Sequence, residues 1–383
     1  YSVIAGGQAN SIGSNSPNAT IGGGYQNIMV TNDPFSTISG GVSNKITAYN
    51  FIIGSMTAAT IAGGFQNIIS NQASFASIGG GQQNSCAGGF GTVGGGFQNS
   101  TQGGNDTIAG GYQNATTPNA ATSTIGGGMQ NFIDQAESTI SGGYRNTNTV
   151  TAVASVIGGG QNNLITNSTA TISGGRFNIA GGLDSVVPGG DLNSAMGRSS
   201  YASGFRAKAT NDGAFVWADL QNSDFSSTLD NSVSFRCANG VKFSNGASSG
   251  ANVAVSWSPG TGAWVFSSDR SLKEGFETVD ALTILDKVTQ LPISEWNYKG
   301  YSQRHIGVMA QDFHAAFPLN ESTTTLNDAD LHGVALAAIQ GLNEKLTEEL
   351  KRRDVENEQL KQEVDELKVM MEKLNQKING GGN

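Results

Sequence analysis

Thr20-Ile21-Gly22-Gly23-Gly24-Tyr25-Gln26-Asn27 is one instance of a signature that runs through the first half of the chain. An Ile or Val shortly before a Gly pair recurs at positions 4, 21, 38, 61, 78, 93, 108, 125, 140, 157, 172 and 187. Six residues after each stands an Asn, from Asn10, Asn27 and Asn44 through Asn163, Asn178 and Asn193. The intervals are 17, 17, 23, 17, 15, 15, 17, 15, 17, 15 and 15, all odd and differing by even numbers. Side chains of a strand alternate faces with period 2, so two residues added at a turn keep the same residues inward. A period of 15–17 suits one coil of a parallel β-solenoid and is too short for helical or propeller repeats. The one long interval contains Ile53-Gly54, which reads as a degenerate or inserted coil.

In such a coil the Ile/Val column forms the core, and the Gly pair supplies positive φ or close backbone approach at a corner. The Asn column fits either αL turns or a stacked amide ladder. The large residue after the Gly run (Tyr25, Phe65, Phe97, Tyr112, Met129, Tyr144) packs against the next coil. About thirteen coils at roughly 4.8 Å each predict a rod of about 60 Å. One large aliphatic side chain per coil is a poor core for a lone chain, which points to association of rods. A Thr precedes many of the Ile/Val residues, including Thr20, Thr37, Thr107 and Thr139, and reads as the solvent face of a strand. The acidic residues of the array, among them Asp33, Asp106, Asp134 and Asp191, are scattered rather than paired as glycan hydrolysis requires.

Composition divides the 383 residues sharply. The array is Gly-rich and nearly uncharged, whereas the C-terminal part is charged and helix-prone. A net charge of -9 argues against a nucleic-acid surface, which needs clustered Lys and Arg. Cys86 and Cys237 are too few for a disulfide framework or a zinc site, and no His/Cys/carboxylate cluster has metal spacing, so no cofactor or metal is expected. No run of apolar residues is long enough for a membrane span. The repeat is already under way at Val3-Ile4-Ala5-Gly6-Gly7, so the sequence is expected to be an excerpt, with any anchor or secretion signal upstream.

Beyond the repeats of residues 1–212, residues 213–266 keep strand character in Ala214-Phe215-Val216-Trp217, Ser232-Val233-Ser234-Phe235-Arg236 and Val253-Ala254-Val255-Ser256-Trp257. They read as a β-rich neck. From about Leu331 the pattern is helical. Ile339, Asn343, Leu346, Leu350, Arg353, Asn357, Leu360, Val364, Leu367, Met371, Leu374 and Ile378 alternate steps of four and three, a coiled-coil seam over 336–383. Asn343 and Asn357 fall at core positions, where Asn sets register and oligomer number. Arg353 is a misfit there that can pair with Glu349 or Glu356 across the interface.

Between neck and helix stands Ser267-Ser268-Asp269-Arg270-Ser271-Leu272-Lys273-Glu274. A Ser and a Lys five residues apart carry little meaning alone. The stretch nevertheless resembles the start of the self-cleaving intramolecular chaperone domain of phage tailspikes, tail fibres and endosialidases. Two more stretches are similar to that family: Ile284-Leu285 through Trp296-Asn297-Tyr298, and His305-Ile306-Gly307-Val308-Met309-Ala310-Gln311-Asp312. The resemblance covers 267–383, with the domain itself over 267–335. It implies an autoproteolytic serine peptidase in which Ser268 is the nucleophile, Lys273 its general base and Ser267–Ser268 the bond cut. Asp269, which could orient the site or cap the next helix, and His305, inside the third motif, are supporting candidates. The array resembles the head repeats of trimeric autotransporter adhesins, most visibly at Ser194-Ala195-Met196-Gly197 and Tyr201-Ala202-Ser203-Gly204-Phe205-Arg206-Ala207-Lys208-Ala209. Those heads are trimeric β-rolls, which implies a homotrimer.

Together these readings predict a mainly β protein: an N-terminal parallel β-solenoid, a β-rich neck and a C-terminal α+β chaperone domain ending in a trimeric coiled coil. Its expected function is that of a trimeric fibre on a virion or cell surface, whose chaperone domain drives trimerisation and then cuts itself off. A host-surface glycan or receptor is the partner that such a fibre would engage. An adhesin that keeps its chaperone as a permanent cap is the alternative. A membrane-tethered regulator would need a basic DNA-binding domain and a spanning helix, and neither appears in the sequence.

Overall fold

The computed structural model describes residues 1–47, 57–70, 72–244, 254–257, 260, 262–319 and 322–379. The insertion at Ile53-Gly54 lies outside the described residues. The chain forms two compact units, and it passes from the first to the second at the Ser267–Ser268 bond.

The first unit is a parallel β-solenoid. Two-residue strands such as Thr20–Ile21 and Ile28–Met29 alternate along each coil and stack directly on their counterparts in the next. The register places Ile21 on Ile38 and Met29 on Ile46. A third column of single bridges runs through Tyr25, Val42, Phe65, Gln82, Phe97 and Tyr112, so the large residues after the Gly run do pack coil on coil. The Phe97 and Tyr112 rings stack at 5.3 Å.

The core differs from the sequence expectation in one respect. A second inward column follows the first by eight residues: Met29, Ile46, Ile69, Cys86, Thr101, Thr116, Ile133, Asn148 and Ile165. Its members vary in chemistry, so no motif marks them. Ile21, Ile38, Ile46 and Ile69 are all 0% exposed in a single chain. The solenoid therefore closes its own core without a partner, at roughly 1.5–3 kcal/mol per buried aliphatic side chain. From Ile21 to Ala195 the eight-residue side keeps its length, and the two-residue insertions fall on the return arc, as between Met29 and Ile38 against Cys86 and Val93.

The Asn column is an amide ladder. Asn84 Nδ2 donates to the carbonyls of Gly80 (2.9 Å) and Gly96 (3.0 Å), and the Asn84 N–H donates to Asn67 Oδ1 at 3.0 Å. Asn84 Oδ1 in turn accepts from the Asn99 N–H at 3.0 Å. The αL residue is the one before the Asn, such as Gln66, Gln83, Gln98 and Gln113. A non-Gly residue there costs on the order of 1–2 kcal/mol. Stacking returns part of that cost, because Gln83 Nε2 donates to Gln66 Oε1 (3.0 Å) and Gln98 Nε2 to Gln83 Oε1 (3.1 Å). At the Gly corner both expected reasons hold together: Gly81 has φ +80, and a Cβ on it would lie 2.2 Å from the Gly96 carbonyl oxygen.

Strands Phe215–Ala218 and Val233–Arg236 extend the first sheet although the Gly and Asn signature has ended. Arg236 caps the final coil. Its guanidinium reaches the Asp219 carboxylate at 2.8 Å and the carbonyls of Phe205, Asp219, Gln221 and Ser223 at 2.6–3.2 Å. A separate antiparallel sheet follows, formed by Val241–Ser244, Ala254–Trp257 and Trp264–Phe266.

The second unit contains helix α1 (Ala281–Gln290), a hairpin of Ile293–Trp296 with His305–Val308, helix α2 (Ala310–Ala316) and the 52-residue helix α3 (Asp328–Asn379). Phe313 of α2 and Phe317 just after it pack on Val334 of α3, with Ile284, Val288 and Leu291 around them. Beyond Gly341 the seam of α3 lies open, from 48% exposure at Val364 to 72% at Met371. Arg353 pairs with Glu349 of its own chain at 3.3 Å.

Two substitutions test the solenoid. Asn84→Ala leaves the Gly80 carbonyl and the Asn99 N–H without their partner and removes one of the two donors to the Gly96 carbonyl, the other being the Gln82 N–H, and should cost roughly 3 kcal/mol. Hydrogen exchange should show the loss concentrated in the coils around residue 84, since each coil of a stacked repeat touches only its neighbours. Asn148 is the reverse case, a fully buried amide with no hydrogen-bond partner among the described residues, between Ile133 and Ile165 in the second column. Asn148→Val should therefore raise stability by about 1–3 kcal/mol in a denaturant melt.

Candidate active site

Ser268 and Lys273 are separated by five residues, a reach of up to about 17 Å if the chain were extended. The structure brings them together: Lys273 Nζ donates to Ser268 Oγ at 2.8 Å. A single 3₁₀ turn, Arg270–Leu272, makes this possible. Asp269 caps that turn, accepting the Ser271 N–H (2.8 Å) and the Ser271 hydroxyl (2.9 Å) on Oδ1. Those two bonds, the backbone one first, hold the Asp269 carboxyl below the usual carboxylate range. The Lys273 N–H closes the turn onto the Arg270 carbonyl at 3.2 Å. Of the two roles open to Asp269, capping is the one its contacts display. Ser268, Asp269 and Lys273 are all exposed in the single chain.

Ser267 directly follows the last neck strand. Its N–H donates to the Ala254 carbonyl at 3.0 Å. Its hydroxyl donates to the same carbonyl at 3.1 Å and accepts the Ala254 N–H at 3.0 Å. Nothing in the sequence marked Ala254 or Ser271 as partners, because strand pairing and turn closure are not local sequence motifs.

His305 sits in the hairpin opposite Trp296, with the rings stacked at 4.7 Å and Tyr298 edge-on at 5.8 Å. Among the described residues its ring contacts are thus aromatic. The rest of its motif serves the fold: Gly307 and Val308 end the strand, Ala310 opens α2, and Asp312 lies in the first turn of that helix, where a negative charge suits the helix dipole. Residues 268–320 match the family model described as chaperone of endosialidase. No curated protein matches the chain.

The match opens at Ser268, where the chain passes into the second unit, and takes in Lys273, α1, the hairpin and α2. The chain thus joins a segment similar to the chaperone-of-endosialidase family to a long parallel β-solenoid. Among the described residues no group of three or more His, Cys, Asp or Glu is placed to hold a metal ion, and no helix is long and apolar enough to cross a membrane.

Helix α1 anchors this domain to α3. Asp280 caps it by accepting from the Thr283 hydroxyl (2.6 Å) and the N–H groups of Leu282 and Thr283, and these bonds hold its carboxyl below the usual range. A Cβ on Gly341 of α3 would lie 2.2 Å from the Ala281 carbonyl oxygen. Gly341→Leu should drive the two helices apart, lowering the melting temperature of the C-terminal unit while leaving the solenoid's transition in place. Differential scanning calorimetry of the whole chain separates the two transitions.

Proposed function

We propose that this chain is the rod and C-terminal chaperone of a homotrimeric virion fibre, and that the chaperone cuts itself off between Ser267 and Ser268. The observation that carries the reading is the 2.8 Å contact of Lys273 Nζ with Ser268 Oγ at the residue where the family match begins. A Ser hydroxyl becomes nucleophilic when a positioned base takes its proton. In the neutral amine form, Lys273 accepts the Ser268 Oγ proton while Oγ adds to the carbonyl carbon of a Ser267. The C–N bond to residue 268 breaks, and the departing amine takes the proton. Water then hydrolyses the Ser267 ester, leaving a Ser267 carboxylate and restoring the Ser268 hydroxyl.

A lysine serves as base only where burial or nearby cations favour its neutral form. Lys273 is solvent-exposed in the single chain, so assembly is what would cover it. The open apolar seam of α3, which runs for roughly 57 Å beyond Gly341 at 1.5 Å per residue, supports that assembly. Three such helices, with Asn343 and Asn357 setting register, would trimerise before the solenoids fold. Long-range β pairing is slow and aggregation-prone, and a common start removes register errors. Cutting then leaves a kinetically trapped fibre. On this reading residues 267–335 are the chaperone domain and 336–383 the coiled coil.

The test is the denatured mass of the full chain beside Ser268→Ala and Lys273→Met. Wild type should give two fragments divided at Ser267–Ser268, and both variants should remain whole while still forming trimers by native mass spectrometry. An intact wild-type chain would sink self-cleavage and leave the C-terminal unit as a permanent cap.

A further inference from the structure

The neck sheet contains an irregularity at the residue that supplies the carbonyl to be attacked. Val255 faces Phe266 and Ser256 faces Val265, so the next pair outward is Ala254 with Ser267. Two residues facing each other in a hydrogen-bonded antiparallel pair ordinarily exchange both N–H to C=O bonds. Here only one is exchanged, from the Ser267 N–H to the Ala254 carbonyl. The Ala254 N–H is taken instead by Ser267 Oγ at 3.0 Å, and the same hydroxyl donates back to the Ala254 carbonyl at 3.1 Å. A hydroxyl can do both, since it carries one donor and two lone pairs.

Resting on the self-cleavage reading above, we infer that Ser267 is a positioning residue for its own scissile bond. Its side chain replaces its carbonyl in the sheet, and the carbonyl is left out of the ladder. A carbonyl that accepts a ladder hydrogen bond is held toward the neighbouring strand, and the move from trigonal to tetrahedral carbon would disturb that bond. Freed from the ladder, the Ser267 carbonyl can be polarised by other donors and approached by Ser268 Oγ, while its residue stays anchored through N–H and Oγ. Hydrogen-bond donors act on such a centre only when they meet the oxygen where its charge develops. The anchor also makes cleavage depend on neck folding, because Ser267 is held only when Ala254–Trp257 and Trp264–Phe266 have paired.

Ser267→Thr and Ser267→Val are nearly isosteric and differ in the hydroxyl, which makes them the decisive pair. The single-turnover cleavage rate of the full chain would be followed by denaturing mass spectrometry, with trimer content of the uncut chain checked by native mass. Threonine keeps both bonds to Ala254 and should cleave within a few-fold of wild type. Valine releases the Ala254 N–H to the scissile carbonyl and should slow cleavage by about 10–100-fold at equal trimer content. Equal rates for the two variants, whether fast or slow, would overturn the inference alone. A wild-type chain that never cleaves would remove it together with the dyad reading.

Discussion

Everything in the first unit depends on stacking like upon like at a spacing of about 4.8 Å. The buried Asn ladder makes that spacing obligatory. Each amide ties a Gly carbonyl of its own coil to one of the next, and its oxygen receives the N–H of the following Asn. A coil displaced by one residue would lose these bonds at once and turn its aliphatic columns outward. The αL Gln residues and the positive-φ glycines are costs that this arrangement imposes, and the backbone around them leaves no room for a Cβ at Gly81 or its equivalents.

The two units solve the burial problem differently. A solenoid coil carries two inward columns and is complete within one chain, down to an Arg236 that occupies the free carbonyls at its end. The second unit buries far less of its apolar surface. Its small core gathers Phe313, Phe317 and Val334, while most of α3 presents apolar side chains to water. The apolar surface still open to a partner is therefore concentrated in the C-terminal unit, whereas the sequence pointed to the rods as well. That is the order needed if helices are to meet before rods are built.

The solenoid was legible because its repeat is written in side chains that have no substitute: Gly where a Cβ cannot fit, and Asn where one amide must serve two carbonyls. The second core column was not legible, since burial between strands accepts Ile, Met, Cys, Thr or Ala alike. The choice between αL turns and a ladder for Asn was open in sequence, and backbone angles assign the αL role to the preceding residue. At the site, the Ser268 to Lys273 spacing could be read only through family resemblance. The turn capped by Asp269 supplies the geometry that spacing alone lacks. The contacts of Ser267 were beyond reach, because its partner lies thirteen positions away across a hairpin.

The return arc, which absorbs the changes of coil length throughout the signature-bearing coils, gives the solenoid an evolutionary property apart from its stability. One side of the coil is committed to eight residues between its inward columns, and the other varies between coils without disturbing either column. Peptide can therefore be added or removed along a single edge of the solenoid in pairs of residues, coil by coil, with the ladder untouched. An edge of that kind is where surface variety can accumulate, and where foreign segments could be displayed at regular height along a rigid support.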